Sequence, residues 1–421
     1  MTDDPSRSRC IVVGGGVAGL VAARTLVLGG HDVILLEAAD RLGGTLSDHV
    51  VGGIILDKGA ESFATRRGTV AQLATSLGLG GEIVEPNPAG AWLRRADGSA
   101  LPLPATSLLG VPGVPLATDV MAVIGRRAAF RALLDELMPG TVGAKSRTLG
   151  ELVRRRMGQG VLDSLVTPVV QGIHSRNPDE LDLDRIAPGL RQALLREGSL
   201  ARAVRDLRAT ATAGSAVNGI RGGVHRLVIE LAADLERFGV DVRLNSRVST
   251  YDAEGVVVGE HTIDGRVLIA APHLVSDNGP DEIITLATLV VDCPALDAAP
   301  RGTGVLVAAN SARVRARALT HATAKWPWLA ERLPAGRHVI RLSFDGPVTQ
   351  QQAVADAEEL FGMPIGDVVD FAIVQWRRPA PQGAPPEGVW LTGEATSGTG
   401  LAAVVRHATL TAEAMLKKLA S

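Results

Sequence analysis

The hydrophobic pattern near the N-terminus predicts a strand, a tight glycine turn, a helix and a second strand. Cys10–Val13 is a short apolar run, Val17–Leu28 has apolar residues at helical spacing, and Asp32–Glu37 is a second apolar run of strand length. Gly29 and Gly30 are expected to end the helix. This order is that of a βαβ unit, in which a crossover helix joins two parallel strands.

Beyond residue 85 the pattern of apolar positions changes. Turns rich in Pro, Gly and Ser give way to helical spacing, as in Val120–Met138 and Leu149–Met157. The arginine run Arg154–Arg156 falls in the second of these helices, and we expect it to form a solvated face. From residue 281 to 375, short runs alternate apolar and polar residues, which predicts a second, mostly antiparallel sheet.

Later segments predict that the chain returns to the first sheet. The stretch "NGIRGGVHRL" opens a helix with Leu227, Leu231, Leu235 and Phe238 on one face and Gly239 at its end. Two strand-like runs follow, "VDVRLNSRV" and "GRVLIAAP", and "GVWLTGEATSGTGLAAVVRHA" predicts a strand, a glycine-rich turn and a helix. The first domain is therefore expected to combine N-terminal, middle and C-terminal pieces.

Composition and charge narrow the class of protein. A chain of 421 residues has room for two or three domains, and 46% hydrophobic with 21% charged residues is typical of a globular protein. The net charge of −2 predicts no general attraction to nucleic acid or to an anionic membrane. Two cysteines without a histidine pattern predict no metal site and favour a reducing compartment. Because "MTDDPSRSRC" also lacks a signal-peptide core, we expect a cytoplasmic protein without stable membrane insertion. The sequence leaves monomer and homodimer open.

The glycines after the first strand predict a dinucleotide site. Gly14, Gly16 and Gly19 fit the pattern G-x-G-x-x-G, which allows a sharp turn, a close approach of backbone N–H groups to a pyrophosphate, and close packing of helix on strand. Glu37 follows the second strand, 18 residues beyond Gly19, where an acid would bind a ribose hydroxyl. If these glycines served only for packing, the presence of Glu37 at this spacing would have no explanation.

Two further glycine-rich turns favour FAD over NAD. The stretch "RLGGT", Arg41 to Thr45, suits a second approach to the diphosphate. In "LTGEATSGTGLAA", Gly393 and Glu394 could meet a ribityl chain, and a helix beginning near Leu401 would direct its positive end at the pyrimidine edge of a flavin. We therefore predict a tightly held FAD.

Longer stretches identify a family. Three of these stretches are "LDKGAESFATRRGTVAQLATSLGLGGEIVEP", "NGIRGGVHRLVIELAADL" and "THATAKWPWL". In them the sequence resembles the FAD-dependent protoporphyrinogen/coproporphyrinogen oxidases of haem biosynthesis, which belong to the monoamine-oxidase-like flavoproteins. The resemblance runs nearly end to end. It is most diagnostic in the helical stretch "LGELVRRRMGQGVLDSLVTPVVQGIHSRNPDELDLDRIAPGL".

The pattern and the resemblance together predict an α/β fold. A Rossmann-like FAD-binding domain of the monoamine-oxidase/p-hydroxybenzoate-hydroxylase type is expected from residues 1–84, 215–275 and 376–421. A helical subdomain is expected from 85–214, and an α+β substrate domain with an antiparallel sheet from 276–375.

FAD contacts are predicted in all three pieces of the first domain. Arg41, Gly393 and Glu394 come from the glycine-rich turns, and the resemblance implies the others. The full set is Gly14, Gly15, Gly16, Val17, Ala18, Gly19, Glu37, Ala38, Arg41, Gly44, Thr45, Gly59, Ala60, Glu61, Ser62, Val248 through its backbone, Trp376, Gly393, Glu394, Gly400, Leu401 and Ala402.

The resemblance implies that a porphyrinogen is oxidised by the flavin and that O₂ reoxidises the flavin to give H₂O₂. No residue is assigned as catalytic, since the sequence contains no convincing nucleophile–base set. The anionic propionates of the substrate need cationic partners, for which Arg67 and Arg341 are candidates, with an ordinary exposed arginine as the alternative at each position. Gly172 matches a family glycine that lets the macrocycle approach the backbone, and Leu306 matches an apolar pocket position.

Departures from the family pattern favour its Gram-positive type. Two stretches look shortened, one around 271–305 and one between Trp376 and Val389, and no arginine precedes "WLRRADGSALPLP". The implied substrate is coproporphyrinogen III, with protoporphyrinogen IX as the close alternative, and transfer of the product to a ferrochelatase is left open. An amine oxidase would need an aromatic cage, for which 3% aromatic residues are a poor basis, and a carotenoid desaturase would need a long apolar tunnel. A flavin-binding protein without turnover is the remaining alternative.

Overall fold

The structure is a computed structural model that describes residues 8–65, 68–174, 176–209, 217–271, 274, 282–308, 311, 313–378 and 385–420. The chain forms two compact units. The first consists of Met1–Pro86, Ser215–Ile283 and Trp376–Ser421, and the second of Asn87–Gly214 and Ile284–Gln375. The finer separation of 85–214 from 276–375 as two domains stays a prediction.

The first unit contains thirteen of the strands and five of the α-helices in the described part of the chain. The strands are β1 (Arg9–Val13), β2 (Asp32–Leu36), β3 (Asp48–Val51), β4 (Ile54–Asp57), β5 (Phe63–Ala64), β6 (Ile83–Val84), β11 (Val217–Ile220), β12 (Asp241–Arg243), β13 (Val248–Tyr251), β14 (Gly255–Val258), β15 (His261–Asp264), β16 (Arg266–Ile269) and β22 (Trp390–Leu391). The helices are α1 (Val17–Leu28), α2 (Thr69–Ser76), α10 (Arg226–Arg237), α14 (Glu394–Ser397) and α15 (Leu401–Leu419).

A parallel five-stranded sheet in the order β12-β2-β1-β16-β22 organises this unit. Side chains alternate between its two faces, so Val12 and Leu35 pack with α1, α10 and α15, whereas Ile11 and Ile34 pack with β13 and β14. Both faces are covered, which explains why the central strands are continuous apolar runs.

The sequence pattern anticipated these elements closely. The predicted helix Val17–Leu28 is confirmed, and both expected returns to the sheet occur, as β12 and β16. The prediction that Phe238 lies on the buried face of α10 is wrong, because Phe238 follows the last helical residue and is 42% exposed. Val228 is buried beside Leu227 instead.

The second unit contains the other strands and most of the helices. Its strands are β7 (Trp92–Arg94), β8 (Ala100–Pro102), β9 (Ser107–Leu108), β10 (Val111–Pro112), β17 (Glu282–Asp292), β18 (Gly304–Val307), β19 (Ala318–His321), β20 (Arg337–Phe344) and β21 (Asp367–Arg378). Its helices are α3 (Thr118–Leu133), α4 (Leu149–Arg156), α5 (Gln159–Val161), α6 (Thr167–His174), α7 (Leu183–Ile186), α8 (Leu190–Glu197), α9 (Leu200–Ala209), α11 (Ala322–Lys325), α12 (Pro327–Ala330) and α13 (Gln350–Phe361).

A seven-stranded sheet in the order β21-β17-β20-β19-β18-β7-β8 forms the core of this unit. The pairs β17–β20, β20–β19, β19–β18 and β7–β8 are antiparallel, and β18–β7 is parallel. β7 and β8 come from the region for which the sequence pattern predicted helices, so that region also contributes strands to the sheet.

The helical region differs from the expected pattern in two details. The predicted helix Val120–Met138 is divided: α3 is interrupted at Gly125, whose φ of +78° favours glycine, and a 3₁₀ turn, Leu134–Leu137, follows. The arginine run was wrongly expected to be wholly solvated, because Arg156 is 0% exposed while Arg154 and Arg155 face solvent.

Among the residues that the structure describes, no helix is both long and apolar enough to cross a lipid bilayer.

Candidate functional site

The glycine turn after β1 has the shape of an anion site. Gly14 has a φ of +107°, and a Cβ on Gly19 would lie 1.8 Å from the Gly14 carbonyl oxygen, so α1 packs directly on the turn. Gly16 is the N-cap of α1, and a Cβ there would meet nothing within 4 Å. The first N–H groups of α1, at Val17 and Ala18, have no acceptor within the helix. The turn therefore leaves open space and polar N–H groups at a positive helix end, which fits a pyrophosphate.

Glu37 lies beside this turn. Its Oε2 accepts a hydrogen bond from the Gly15 N–H at 2.6 Å, and its Oε1 accepts one from the Ala39 N–H at 2.8 Å. The Glu37 carbonyl also accepts the Ser246 N–H at 2.8 Å, which ties the segment to the chain that leads into β13. The carboxylate is thus held at the end of β2, where the sequence predicts a ribose contact. Ala38 lies in the same turn and is exposed.

The second glycine turn lies against the first. The Gly43 N–H donates to the Gly15 carbonyl at 2.8 Å, and a Cβ on Gly44 would lie 3.4 Å from the Gly16 Cα. Arg41 pairs with Asp48 at 2.6 Å. Burial, the largest single influence, would raise the pKa of the Asp48 carboxyl, but the hydrogen bond from Arg41, a backbone hydrogen bond and the nearby positive charge together outweigh it and leave the pKa below its usual value.

Residues after β4 extend this cluster. A Cβ on Gly59 would lie 2.2 Å from the Thr45 carbonyl oxygen, so these two backbones are in direct contact. Ala60 is exposed, and Glu61 and Ser62 are half-buried. The predicted contacts at 14–19, 37–38, 41–45 and 59–62 therefore converge on one region of the first unit.

The C-terminal turn follows β22 at the edge of the same sheet. Gly393, with a φ of +112°, is the N-cap of α14, which contains Glu394. Gly400, with a φ of +99°, is the N-cap of α15, and a Cβ there would meet nothing within 4 Å. Leu401 and Ala402 are half-buried in the first turn of α15. The sequence predicted the strand, the turn and α15, but not the four-residue helix between them.

The two remaining predicted FAD residues are Val248 and Trp376. Val248 begins β13 and is buried against the side of the parallel sheet that α1 does not cover. Trp376 is half-buried near the end of β21. Their roles as FAD contacts stay predictions.

The second unit brings together predicted substrate residues. A Cβ on Gly172 would lie 2.4 Å from Leu306 Cδ2, so α6 contacts the side chain of Leu306 directly. Register places Leu306 opposite Ala318, and Arg341 opposite Thr320 and Thr288. Since Ala318 and Thr320 share a face of β19, Leu306 and Arg341 lie on the same face of the sheet.

Arg341 is not an ordinary exposed arginine. It is 7% exposed, and the neighbouring Thr288 is 1% exposed. On this face of the sheet, the buried guanidinium of Arg341 therefore lies between Thr288 and Thr320, which belong to the two neighbouring strands. The other cationic candidate, Arg67, lies outside the described residues.

Sequence reasoning missed a pair of buried histidines on the opposite face. His321 Nε2 lies 3.0 Å from His338 Nδ1, and Thr323 Oγ1 lies 3.1 Å from the same atom. Burial, and then the nearby His338, lower the pKa of His321 to about 3. Burial also lowers the pKa of His338. The two imidazoles are therefore neutral near pH 7 and are poor proton donors there.

A parallel sheet with a glycine turn, a carboxylate after the second strand and a second glycine turn defines a dinucleotide-binding protein of Rossmann type. Residues 17–276 match the family described as "Flavin containing amine oxidoreductase", and the chain belongs to this family. It is therefore a flavin-dependent oxidoreductase, and the predicted α/β fold class is confirmed.

Individual relatives confirm the narrower resemblance. The chain is 28% identical to "Coproporphyrinogen III oxidase" of Mycobacterium leprae, over 99% of both chains. It is 25% identical to the Bacillus subtilis protein of the same name, over 80% of this chain and 77% of that one. A crystal structure of a "Putative protoporphyrinogen oxidase" from Exiguobacterium sp. 255-15 has the same fold, with a TM-score of 0.82 and 22% identity over 99% and 100% of the two chains.

Proposed function

We propose that the protein oxidises coproporphyrinogen III to coproporphyrin III with FAD as cofactor and O₂ as electron acceptor. The observation that carries this proposal is the similarity to the Mycobacterium leprae protein over 99% of both chains. Since the alignment includes the second unit as well as the nucleotide-binding one, it supports a shared substrate and not only a shared cofactor.

The glycine turns support FAD as the specific flavin. Gly14–Gly19, Glu37 and Gly43–Thr45 would hold the adenosine and the diphosphate, and Gly393 with Gly400–Ala402 would approach the ribityl chain and the ring. The open positions at Gly16 and Gly400 leave room for such a ligand. The chemistry supplied by bound FAD is two-electron oxidation, so three rounds would transfer six electrons from the porphyrinogen to O₂ and yield H₂O₂.

The substrate face of the second unit supports an anionic tetrapyrrole. Arg341 carries a permanent charge on a buried surface, where an anionic propionate would be a strong partner. Gly172 and Leu306 would form an apolar wall for the macrocycle. This chain is expected to bind and orient the substrate and to supply little acid–base catalysis, because aromatisation favours the product.

Protoporphyrinogen IX is the second candidate substrate. "Protoporphyrinogen oxidase 1, chloroplastic" of Arabidopsis thaliana is 26% identical over 63% of this chain and 51% of its own. Its shorter alignment makes it the weaker guide. We further propose a cytoplasmic location, a monomer or homodimer, and transfer of product to a ferrochelatase.

The proposal is tested by porphyrin fluorescence over time, with the FAD-loaded protein given coproporphyrinogen III and protoporphyrinogen IX in parallel and H₂O₂ measured in both. We expect faster turnover of coproporphyrinogen III, with one H₂O₂ formed per electron pair. Fluorescence no faster than the autoxidation blank with both substrates, while FAD stays bound, would contradict porphyrinogen oxidation.

Arg341→Met is expected to raise the KM for coproporphyrinogen III by about tenfold or more and to change kcat less, since a charge-assisted bond contributes roughly 1.5–3 kcal/mol. Arg341→Lys retains the charge and should recover part of the loss. The control is Arg337→Met on the same strand, which removes only the pair with Asp292, at 2.8 and 2.9 Å. An equal rise in KM in both methionine variants would show that Arg341 is not a substrate contact.

A further inference from the structure

We propose that Asp57 and His225 form a positioning pair that holds the FAD-contacting turns in place. Neither residue is among the predicted FAD contacts, and they lie 168 residues apart in the chain. The inference rests on the proposed use of FAD, but it is independent of the identity of the substrate.

The carboxylate of Asp57 joins the end of β4 to the start of α10. Its Oδ2 accepts the Val224 N–H at 3.0 Å, and its Oδ1 accepts the His225 N–H at 2.8 Å and lies 2.7 Å from His225 Nδ1. Since a carboxylate only accepts, Nδ1 is the protonated ring nitrogen. Asp57 and His225 are 8% and 6% exposed, so water is a poor substitute for these bonds.

Both chain segments that flank the β3–β4 hairpin carry predicted FAD contacts. Register places Asp57 opposite Asp48, the partner of Arg41. Just beyond these two acids, the Lys58 N–H donates to the Ser47 carbonyl at 2.7 Å. Gly59 then contacts the Thr45 carbonyl. A shift at Asp57 is therefore transmitted to both Gly59–Ser62 and the turn that contains Thr45.

Helix α10 supports the same turn from its own side. A Cβ on Gly43 would lie 3.2 Å from Val228 Cγ1, so the first turn of α10 packs on the glycine pair. Asp57 fixes that end of the helix, where a negative charge is also favoured by the helix dipole. The Asp57–His225 pair thus sets the distance between α10 and the two FAD-contacting segments.

The variants Asp57→Asn and His225→Leu test the proposal. An asparagine places NH₂ hydrogens against one of the donors that Asp57 now accepts, and a leucine removes the ring donor. We expect FAD Kd to rise by about tenfold or more in both, since each variant removes a buried hydrogen bond to a charged group. The visible circular dichroism of the bound flavin should change as well, because the turns that surround it move. His225→Asn, whose side-chain amide can donate to Asp57, should recover most of the affinity.

The control is Asp234→Asn, which removes buried carboxylate bonds from the same helix. Asp234 accepts from Arg24 at 2.8 Å and from Arg237 at 2.9 Å, and it lies at the other end of α10. We expect it to lower the midpoint of thermal unfolding while FAD Kd and the flavin spectrum stay as in the wild type. Wild-type affinity and spectrum in His225→Leu, or an equal loss of affinity in Asp234→Asn, would overturn the proposal. All measurements use FAD without porphyrinogen, so they stand apart from the substrate assignment.

Discussion

Gly16→Ala is expected to fold with nearly wild-type stability and to bind FAD at least about tenfold more weakly, a loss of about 1.4 kcal/mol. The φ of −72° at Gly16 suits alanine, and the added methyl group would meet no protein atom within 4 Å. The only cost to the fold is a less favourable N-cap, about 0.5–1 kcal/mol. If the pyrophosphate of FAD lies over Gly16, the same methyl group occupies the space that the ligand needs.

Gly19→Ala is expected to lose both stability and FAD binding. Its methyl group would lie 1.8 Å from the Gly14 carbonyl oxygen, so either α1 or the turn has to move. Overpacking of this kind costs about 1–3 kcal/mol, and the displaced turn no longer presents its N–H groups together. Comparison of the two variants therefore distinguishes Gly16, which we expect to leave space for the ligand, from Gly19, which lets α1 pack on the turn.

The measurement combines FAD titration by flavin fluorescence with thermal unfolding. Gly81→Ala is the matched control, since a Cβ there also meets nothing within 4 Å and the residue is distant in sequence from the turns. We expect it to be neutral in both assays. Wild-type FAD affinity in Gly16→Ala would show that the ligand does not approach the turn after β1.

Local sequence signals were sufficient for the first βαβ unit. The limits of α1 were predicted from the glycine turn before it and the glycines after it, all of which lie within a few residues of the helix. The pattern "RLGGT" predicts a second approach to the diphosphate, but it does not predict that this glycine pair packs directly on the first glycine turn. Such signals succeed where the residues that determine a structure are neighbours in the chain.

Contacts between residues that are far apart in the sequence could not be predicted from such local signals. β7 joins the large sheet through β18, more than 200 residues later, and although "WLRRADGSALPLP" suggests a strand, nothing in it indicates this partner. Asp57 and His225 likewise meet only in the folded chain. No spacing rule links a strand-ending aspartate to a distant histidine, so the pair could not be found from the sequence.

The burial of Arg156, by contrast, could have been predicted. Leu149, Leu152, Val153 and Arg156 stand at i, i+3, i+4 and i+7, which is the buried stripe of an amphipathic helix. This periodicity is lost when Arg154, Arg155 and Arg156 are treated as a single run of charged residues. An arginine on an apolar stripe is a sign of a buried charge with dedicated partners.

Those partners make Arg156→Met the variant with the largest expected loss of stability. Its guanidinium pairs with Asp135 through Nε, and its remaining nitrogens donate to the carbonyls of Asp135, Pro139, Val142 and Gly198. Asp135 in turn accepts from Ser199 Oγ at 2.7 Å and from the Ala201 N–H at 2.9 Å. The pair thus links α4 to the segment that precedes it and to the junction between α8 and α9.

Removing the guanidinium leaves the Asp135 charge buried, and breaking such a pair costs about 3–5 kcal/mol. At roughly 2–4 °C per kcal/mol for a unit of this size, the midpoint of thermal unfolding should fall by about 10 °C. The control is Arg155→Met, the same change one residue earlier, where the side chain is 58% exposed and pairs with Glu151 at 3.0 Å. There we expect a loss within about 0.5 kcal/mol. Equal unfolding midpoints for the two variants would mean that the Arg156–Asp135 pair does not stabilise the helical region. A much lower midpoint in Arg156→Met, with FAD Kd unchanged, would show that the pair stabilises the second unit only.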